Sequence, residues 1–297
     1  MNALEAVADR IGRGDVLSEV DARAVLATND IIEVAVLADA VRRQRRGKTT
    51  TFVRVFETHV EVPATSLPAN LSAGEIRIVG APRDEEAALA AVRSTVAIAG
   101  ARPVTGFSLA DLVAIAGSPR DISSLCGRLR EAGLVALADV AVDSVGVDAA
   151  AVTAARDAGL KLLRMTVHRM TEDDRLALLQ RARALQADVG GFSALAPLPR
   201  VTPVAVPTTG YDDVKLVALA RLLVDNIESI QVDWPLYGPK LAQVALTMGA
   251  DDVDGIAATD PGTLGTRRTA IEEITGNIRA ARLDPIERDA LFTTRDT

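Results

Sequence analysis

From residue 50 onward, eight short apolar runs follow one another, with helical stretches between most of them. The strand candidates are 50–56, 75–80, 102–107, 134–140, 160–167, 192–198, 229–234 and 252–258. Helical stretches fall between most of them, at 84–100, 123–133, 148–159, 172–190, 211–226 and 238–250. Several end in glycine, which suits the position just past a helix C-terminus. Eight strands alternating with helices predict the α/β class and a parallel (β/α)8 TIM-type barrel. The alternative is a doubly wound open sheet, but no Gly-rich dinucleotide fingerprint follows any strand. The first crossover, residues 57–74, breaks the rhythm, because Pro63 and Pro68 speak against a long helix there.

Residues 1–48 read as an N-terminal helical extension, 49–260 as the barrel with its first crossover shortened, and 261–297 as a C-terminal helix and tail packing on it. Ser18 with Asp21 reads as a capping box, and Asn29-Asp30 as the cap of the next helix. Apolar residues make up 48% of the chain, enough to bury a large core. The net charge of −7 argues against nucleic acid as a partner. The one basic cluster, Arg42, Arg43, Arg45, Arg46 and Lys48, reads as a solvated helix C-terminus. The lone cysteine, Cys126, fits a reducing cytoplasm and the role of a small buried apolar residue. No apolar run is long enough to span a membrane.

The runs GGFSALAPLP (190–199), TTGYDDVKLVALARLLVDNIESIQVDWPLYGPKLAQVALTMGADDVDG (208–255) and PIERDALF (285–292), with RIVGAP and LCGRLREAGL earlier, resemble the radical-SAM menaquinone-pathway family. That family comprises aminofutalosine synthase and dehypoxanthinyl futalosine cyclase, with the deazaflavin (FO) synthase subunits as relatives. Active members carry a C-x3-C-x2-C loop after the first strand. Its three thiolates bind a [4Fe–4S] cluster whose fourth iron is chelated by S-adenosylmethionine. The corresponding stretch here, VEVPATSLPANLSAG (60–74), has no cysteine. The resemblance therefore implies a member without an iron–sulfur cluster, and it speaks against S-adenosylmethionine binding. The implied role is that of a partner subunit beside an active menaquinone-pathway radical-SAM enzyme, or a carrier of one of its intermediates. The alternative is a non-radical enzyme that uses the vacated pocket on a nucleoside-like or aromatic acid ligand.

In a barrel of this kind the C-terminal strand ends form the working rim. That reading selects Glu57, Thr166, His168, Asp233, Trp234 and Thr259 as ligand-binding candidates, with His168, His59 and Asp233 as weak catalytic ones. Glu57, His59 and Glu61 share one face of a strand, but two histidines and scattered carboxylates are too few for a metal site, so none is expected. The acidic run Asp251, Asp252 and Asp254 reads as structural, and Glu287-Arg288-Asp289 as an ion-paired lock of the C-terminus.

Overall fold

The computed structural model describes residues 3–170, 174–201, 209–259 and 271–295. Eight parallel strands close into a barrel: β1 (Thr49–His59), β2 (Glu75–Val79), β3 (Val104–Ser108), β4 (Ala136–Ala141), β5 (Arg164–Val167), β6 (Ala194–Pro199), β7 (Ser229–Asp233) and β8 (Asp252–Ala257). Closure is the pairing of β8 with β1, for instance Thr51 with Asp252 and Val55 with Ala257. All eight strand candidates are present, and the helix-free first crossover is as expected.

Three helices precede the barrel: α1 (Ala3–Arg13), α2 (Glu19–Ala27) and α3 (Ile31–Arg46). Ser18 and Asp21 form the capping box of α2, and the Asp30 carboxylate accepts from the Glu33 amide at the start of α3. The outer helices are α4 (Glu85–Ala99), α5 (Leu109–Ala116), α6 (Pro119–Glu131), α7 (Ala149–Asp157), α8 (Arg175–Asp188), α9 (Gly210–Leu223), α10 (Trp234–Leu246) and α11 (Ile271–Ala280). Two elements depart from the expectation. Helix α5 begins directly after β3, capped by Ser108 with Asp111, so the β3–β4 connection holds two helices instead of one. The tail holds a ninth strand, β9 (Asp284–Glu287), in parallel register with Thr49–Phe52 of β1.

β9 has a geometric reason. β1 is eleven residues long and β2 only five. β2 pairs with Val55–His59, the upper half of β1, and leaves the lower half without a neighbour on that side. β9 fills this place and satisfies those backbone groups, as an otherwise bare strand edge requires. The tail then turns under the barrel. The Ala290 amide donates to the Gly74 carbonyl, and a Cβ on Gly74 would sit 2.6 Å from the Arg288 carbonyl oxygen, so only glycine fits at the start of β2.

The basic cluster is a solvated helix end only in part: Arg43, Arg45 and Lys48 are exposed, while Arg42 and Arg46 are not. Arg42 is fully buried, its guanidinium on the Asp39 carboxylate and the Gly47 carbonyl. Arg45 donates to the Ile227 carbonyl, and Arg46 pairs with Glu228 and approaches Asp251. These contacts anchor the end of α3 at the entry to β7, so part of a cluster that looks solvated by sequence serves to dock the extension. Asp251, fully buried, has its carboxyl pushed up to about 6 by burial despite Arg221 beside it.

Candidate functional site

Ion pairs that join non-neighbouring strands must cross the barrel interior, and here several do. Arg77 on β2 donates to both Asp254 oxygens on β8 at 2.8 and 2.9 Å, and forks onto Glu75 at 2.7 and 2.8 Å. Arg164 on β5 reaches Asp254 from the opposite wall and donates to the Ala138 carbonyl at 2.9 Å. Thr105 on β3 donates to Glu75 at 2.5 Å. One layer below, Asp252 receives the Arg288 fork at 2.6 and 2.7 Å, Thr51 at 2.5 Å and Gln231 at 2.6 Å. TIM barrels ordinarily fill this space with bulky branched side chains. Here Ala136 and Ala138 leave room for long guanidiniums. Burial alone would raise the Asp254 carboxyl, but Arg164 and Arg77 outweigh it and hold the group well below the usual range. Glu75 is lowered against the same burial by Arg77.

Above this charged floor, at the C-terminal ends of the strands, lies a cavity of about 340 Å³. Arg77 and Arg164 form its base. Its walls include Glu57, Ser108, Asp111, Asp139, Asp233 and Arg200, with Phe107, Leu236 and Gly80 between them. Glu57 comes from β1, Asp139 from β4 and Asp233 from β7, while Asp111 is placed by the β3–α5 junction. Phe107 takes a positive φ of 60° there, which lets a strand run into a helix without a connecting loop. Asp233 also caps α10, accepting from the Leu236 amide at 3.2 Å.

Arg200 follows β6 and stands between two of these acids. It lies 3.4 Å from Asp233 and 3.7 Å from Asp139. Its Nε and Nη2 are screened from solvent and have no hydrogen-bond partner among the described residues. Burial raises the Asp233 carboxyl above the usual range. The negative charge of Asp254 adds to this, and Arg200 and Arg164 oppose it. Asp111 is raised by burial and, to a lesser degree, by Asp139. Two carboxyls facing one cavity are thus biased toward holding a proton, as in many ligand and acid–base sites.

The residues expected at the rim divide accordingly. Glu57 and Asp233 line the cavity. Thr166, His168, Trp234, Thr259 and His59 are not among its lining residues. His168 is exposed, and its backbone amide donates to Asp143 at 2.7 Å. His59 is also exposed, its ring against Gly80 and its Nδ1 accepting from the Glu61 amide at 3.3 Å. Thr166 and Trp234 are buried. The strand-end rule missed Arg77 and Arg164, which are mid-barrel, and Asp111 and Arg200, which lie just past strand ends. The capping spacing of Ser108 and Asp111 was the available signal for one of them. Among the described residues, no group of three or more His, Cys, Asp or Glu could hold a metal ion. Likewise, no helix among them is long and apolar enough to cross a membrane.

Residues 193–297 match the family model of the CofH/MqnC C-terminal region. The match is confined to the C-terminal third of the chain. Two curated relatives extend the match. The chain is 34% identical over 142 residues, 42% of its length, to the 5-amino-6-(D-ribitylamino)uracil–L-tyrosine 4-hydroxyphenyl transferase of Methanococcoides burtonii, covering 40% of that protein. It is 36% identical over 142 residues, again 42% of its length, to the aminodeoxyfutalosine synthase of Thermus thermophilus, covering 37% of it. The chain thus spans about two fifths of the length of the curated relatives it matches.

Among solved structures, it superimposes on methylornithine synthase (PylB) with a TM-score of 0.64 at 13% identity, covering 94% of this chain and 97% of that one. The hydrogenase maturase HydG gives 0.66 at 12%, covering 96% and 76%. At these identities the likeness shows the barrel fold alone. The resemblance read from the sequence holds as far as these matches reach: the C-terminal region is similar to the CofH/MqnC model, and about two fifths of the chain is similar to the transferase and the aminodeoxyfutalosine synthase. The matched C-terminal region contributes Arg200, Asp233, Asp254 and Arg288 to the charged interior and mouth.

The chain's donors bear on the cluster expected of active relatives. Cys126 is the single cysteine and lies on α6, outside the barrel and fully buried, with its thiol pushed up to about 12 by burial. A cluster of this kind is held by thiolates. One inert thiol remote from the mouth does not fit that requirement.

Proposed function

We propose that this protein is a ligand-holding relative of the radical enzymes, which binds a small polar molecule at the barrel mouth and carries no [4Fe–4S] cluster of its own. The observation that carries the reading is the mouth cavity. It presents four carboxylates from four different elements, Glu57, Asp111, Asp139 and Asp233, with Arg200 beside two of them and the Arg77 and Arg164 guanidiniums at the base. Such a wall favours a ligand rich in hydroxyl or amine donors, since a carboxylate accepts strong hydrogen bonds from both. The ribityl and aminodeoxyfutalosyl compounds in the relatives' names have this chemistry. In this role the protein serves beside an active enzyme of the menaquinone route as a partner or intermediate carrier.

Calorimetric titration with 5-amino-6-(D-ribitylamino)uracil and with aminodeoxyfutalosine tests it. One of the two binds saturably, and Asp233→Asn weakens that binding by about tenfold, the equivalent of one charged hydrogen bond. Failure of both compounds to bind would overturn the ligand assignment. A second reading, a non-radical enzyme, is favoured by the raised Asp233 and Asp111 carboxyls. It requires turnover of the bound compound that Asp233→Asn abolishes.

A further inference from the structure

The charged interior lies in two layers. The upper one joins Arg77, Arg164, Glu75, Thr105 and Asp254 beneath the mouth. The lower one joins Asp252, Arg288, Thr51 and Gln231 above the tail. Among the described residues, no side-chain hydrogen bond passes from one layer to the other. Between them is a cavity of about 20 Å³, bordered by Arg77, Arg164 and Asp254 of the upper layer and by Gln231 and Arg288 of the lower.

Gln231 gives this cavity its chemistry. The residue is 1% exposed, and its amide nitrogen donates to Asp252 at 2.6 Å. An ionised carboxylate only accepts, so this bond fixes which end of the amide is nitrogen. Oε1, at the other end, is screened from solvent and has no donor among the described residues. A buried acceptor left in that condition bears its full desolvation cost. The charges around the cavity cancel. Arg77, Arg164 and Arg288 are matched by Glu75, Asp252 and Asp254, each cation on a carboxylate of the set. An ion among them would leave a net charge buried, whereas a neutral molecule would not.

We infer that this cavity binds one water molecule, which donates to Gln231 Oε1 and bridges the two layers. A buried water needs at least ~10–15 Å³ and two to four polar partners, and this cavity supplies both. Guanidinium N–H groups on the wall donate to the water oxygen, and its second proton goes to a carboxylate. The water thereby makes the floor of the mouth and the lock of the tail one hydrogen-bonded unit.

A high-resolution crystal structure of the full chain tests the inference. The expected result is a single peak that refines as water within hydrogen-bond distance of Gln231 Oε1. No peak there, or Oε1 resting on a protein donor, overturns the proposal. Anomalous signal at the site in a bromide-soaked crystal overturns it too, because the occupant is then an anion. Oxygen-17 relaxation dispersion gives an independent reading in solution. Gln231→Met keeps the side-chain length but has no amide oxygen. Shown to be folded by circular dichroism, it is expected to hold about one long-lived internal water fewer than the wild type. Equal counts in the two folded chains overturn the bridging role.

Discussion

Asp254→Ala is expected to destabilise the protein by about 3–5 kcal/mol, because removing one partner of a buried ionic network leaves the others charged and uncompensated. Among the described residues, Asp254 is the only carboxylate paired with Arg164, which also donates to the Ala138 carbonyl. Arg77 would keep Glu75, so the loss falls chiefly on Arg164. Thermal or urea unfolding reads the effect, with a fall in Tm of about 10 °C for a domain of this size. The same residue fixes a pH dependence. Its folded pKa lies well below the ordinary carboxylate value, so the unfolded chain binds the proton more tightly. The stability Asp254 contributes is therefore complete above pH ~4 and lost as pH falls below it. Asp254→Asn should flatten the stability profile in that acid range. An unchanged Tm in Asp254→Ala would mean the interior network does not hold the barrel together.

Arg288→Ala is expected to cost about as much, roughly 3–5 kcal/mol, and to act at the opposite end of the barrel. Among the described residues, Arg288 is the sole cation paired with Asp252, a carboxylate with no exposure to solvent, and its guanidinium also stacks on Phe292 at 3.9 Å. Without it Asp252 retains only Thr51 and Gln231, both uncharged. The tail loses its central anchor, although Glu287 still pairs with Arg54 and Arg295. Hydrogen exchange should localise the damage. Amides of β9 and of Thr49–Phe52 lose protection first, because these segments pair with each other. Arg288→Lys restores the charge but not the planar fork, so its stability should fall between the two. Equal protection in wild type and Arg288→Ala would show that β9 is held by its backbone pairing alone.

The strands were legible because each is a short apolar run bounded by turn or helix signals, and burial enforces that pattern directly. The shortened crossover was legible because proline is incompatible with a helix interior. β9 was not, since four residues containing Pro285 carry no strand signature. They become a strand only because β2 starts too late to cover the lower half of β1. Helix α5 was missed because LADLVAIA follows β3 without a break and reads as one apolar stretch. At the site, Glu57 and Asp233 are the two strand-end candidates that line the cavity. Strand polarity could not tell which strand-end residues reach the cavity: Thr166 is buried without lining it, and His59 and His168 are exposed beside it. Arg77 and Arg164 escaped because a buried arginine is recognisable only from its partner across the barrel, and those partners are about 90–180 residues away. The tail lock of Glu287 and Arg288 was legible as alternating charge, though not the depth to which Arg288 reaches.

The account rests on a barrel mouth that binds its ligand through carboxylates and Arg200, without thiolate-held iron. Anaerobic iron and sulfide reconstitution of the purified chain, with iron analysis and absorbance of the product, measures this directly. The expected result is well under one iron per chain and no reducible cluster band. About four irons per chain, the content of a [4Fe–4S] cluster, with an absorbance that bleaches on reduction, would contradict it.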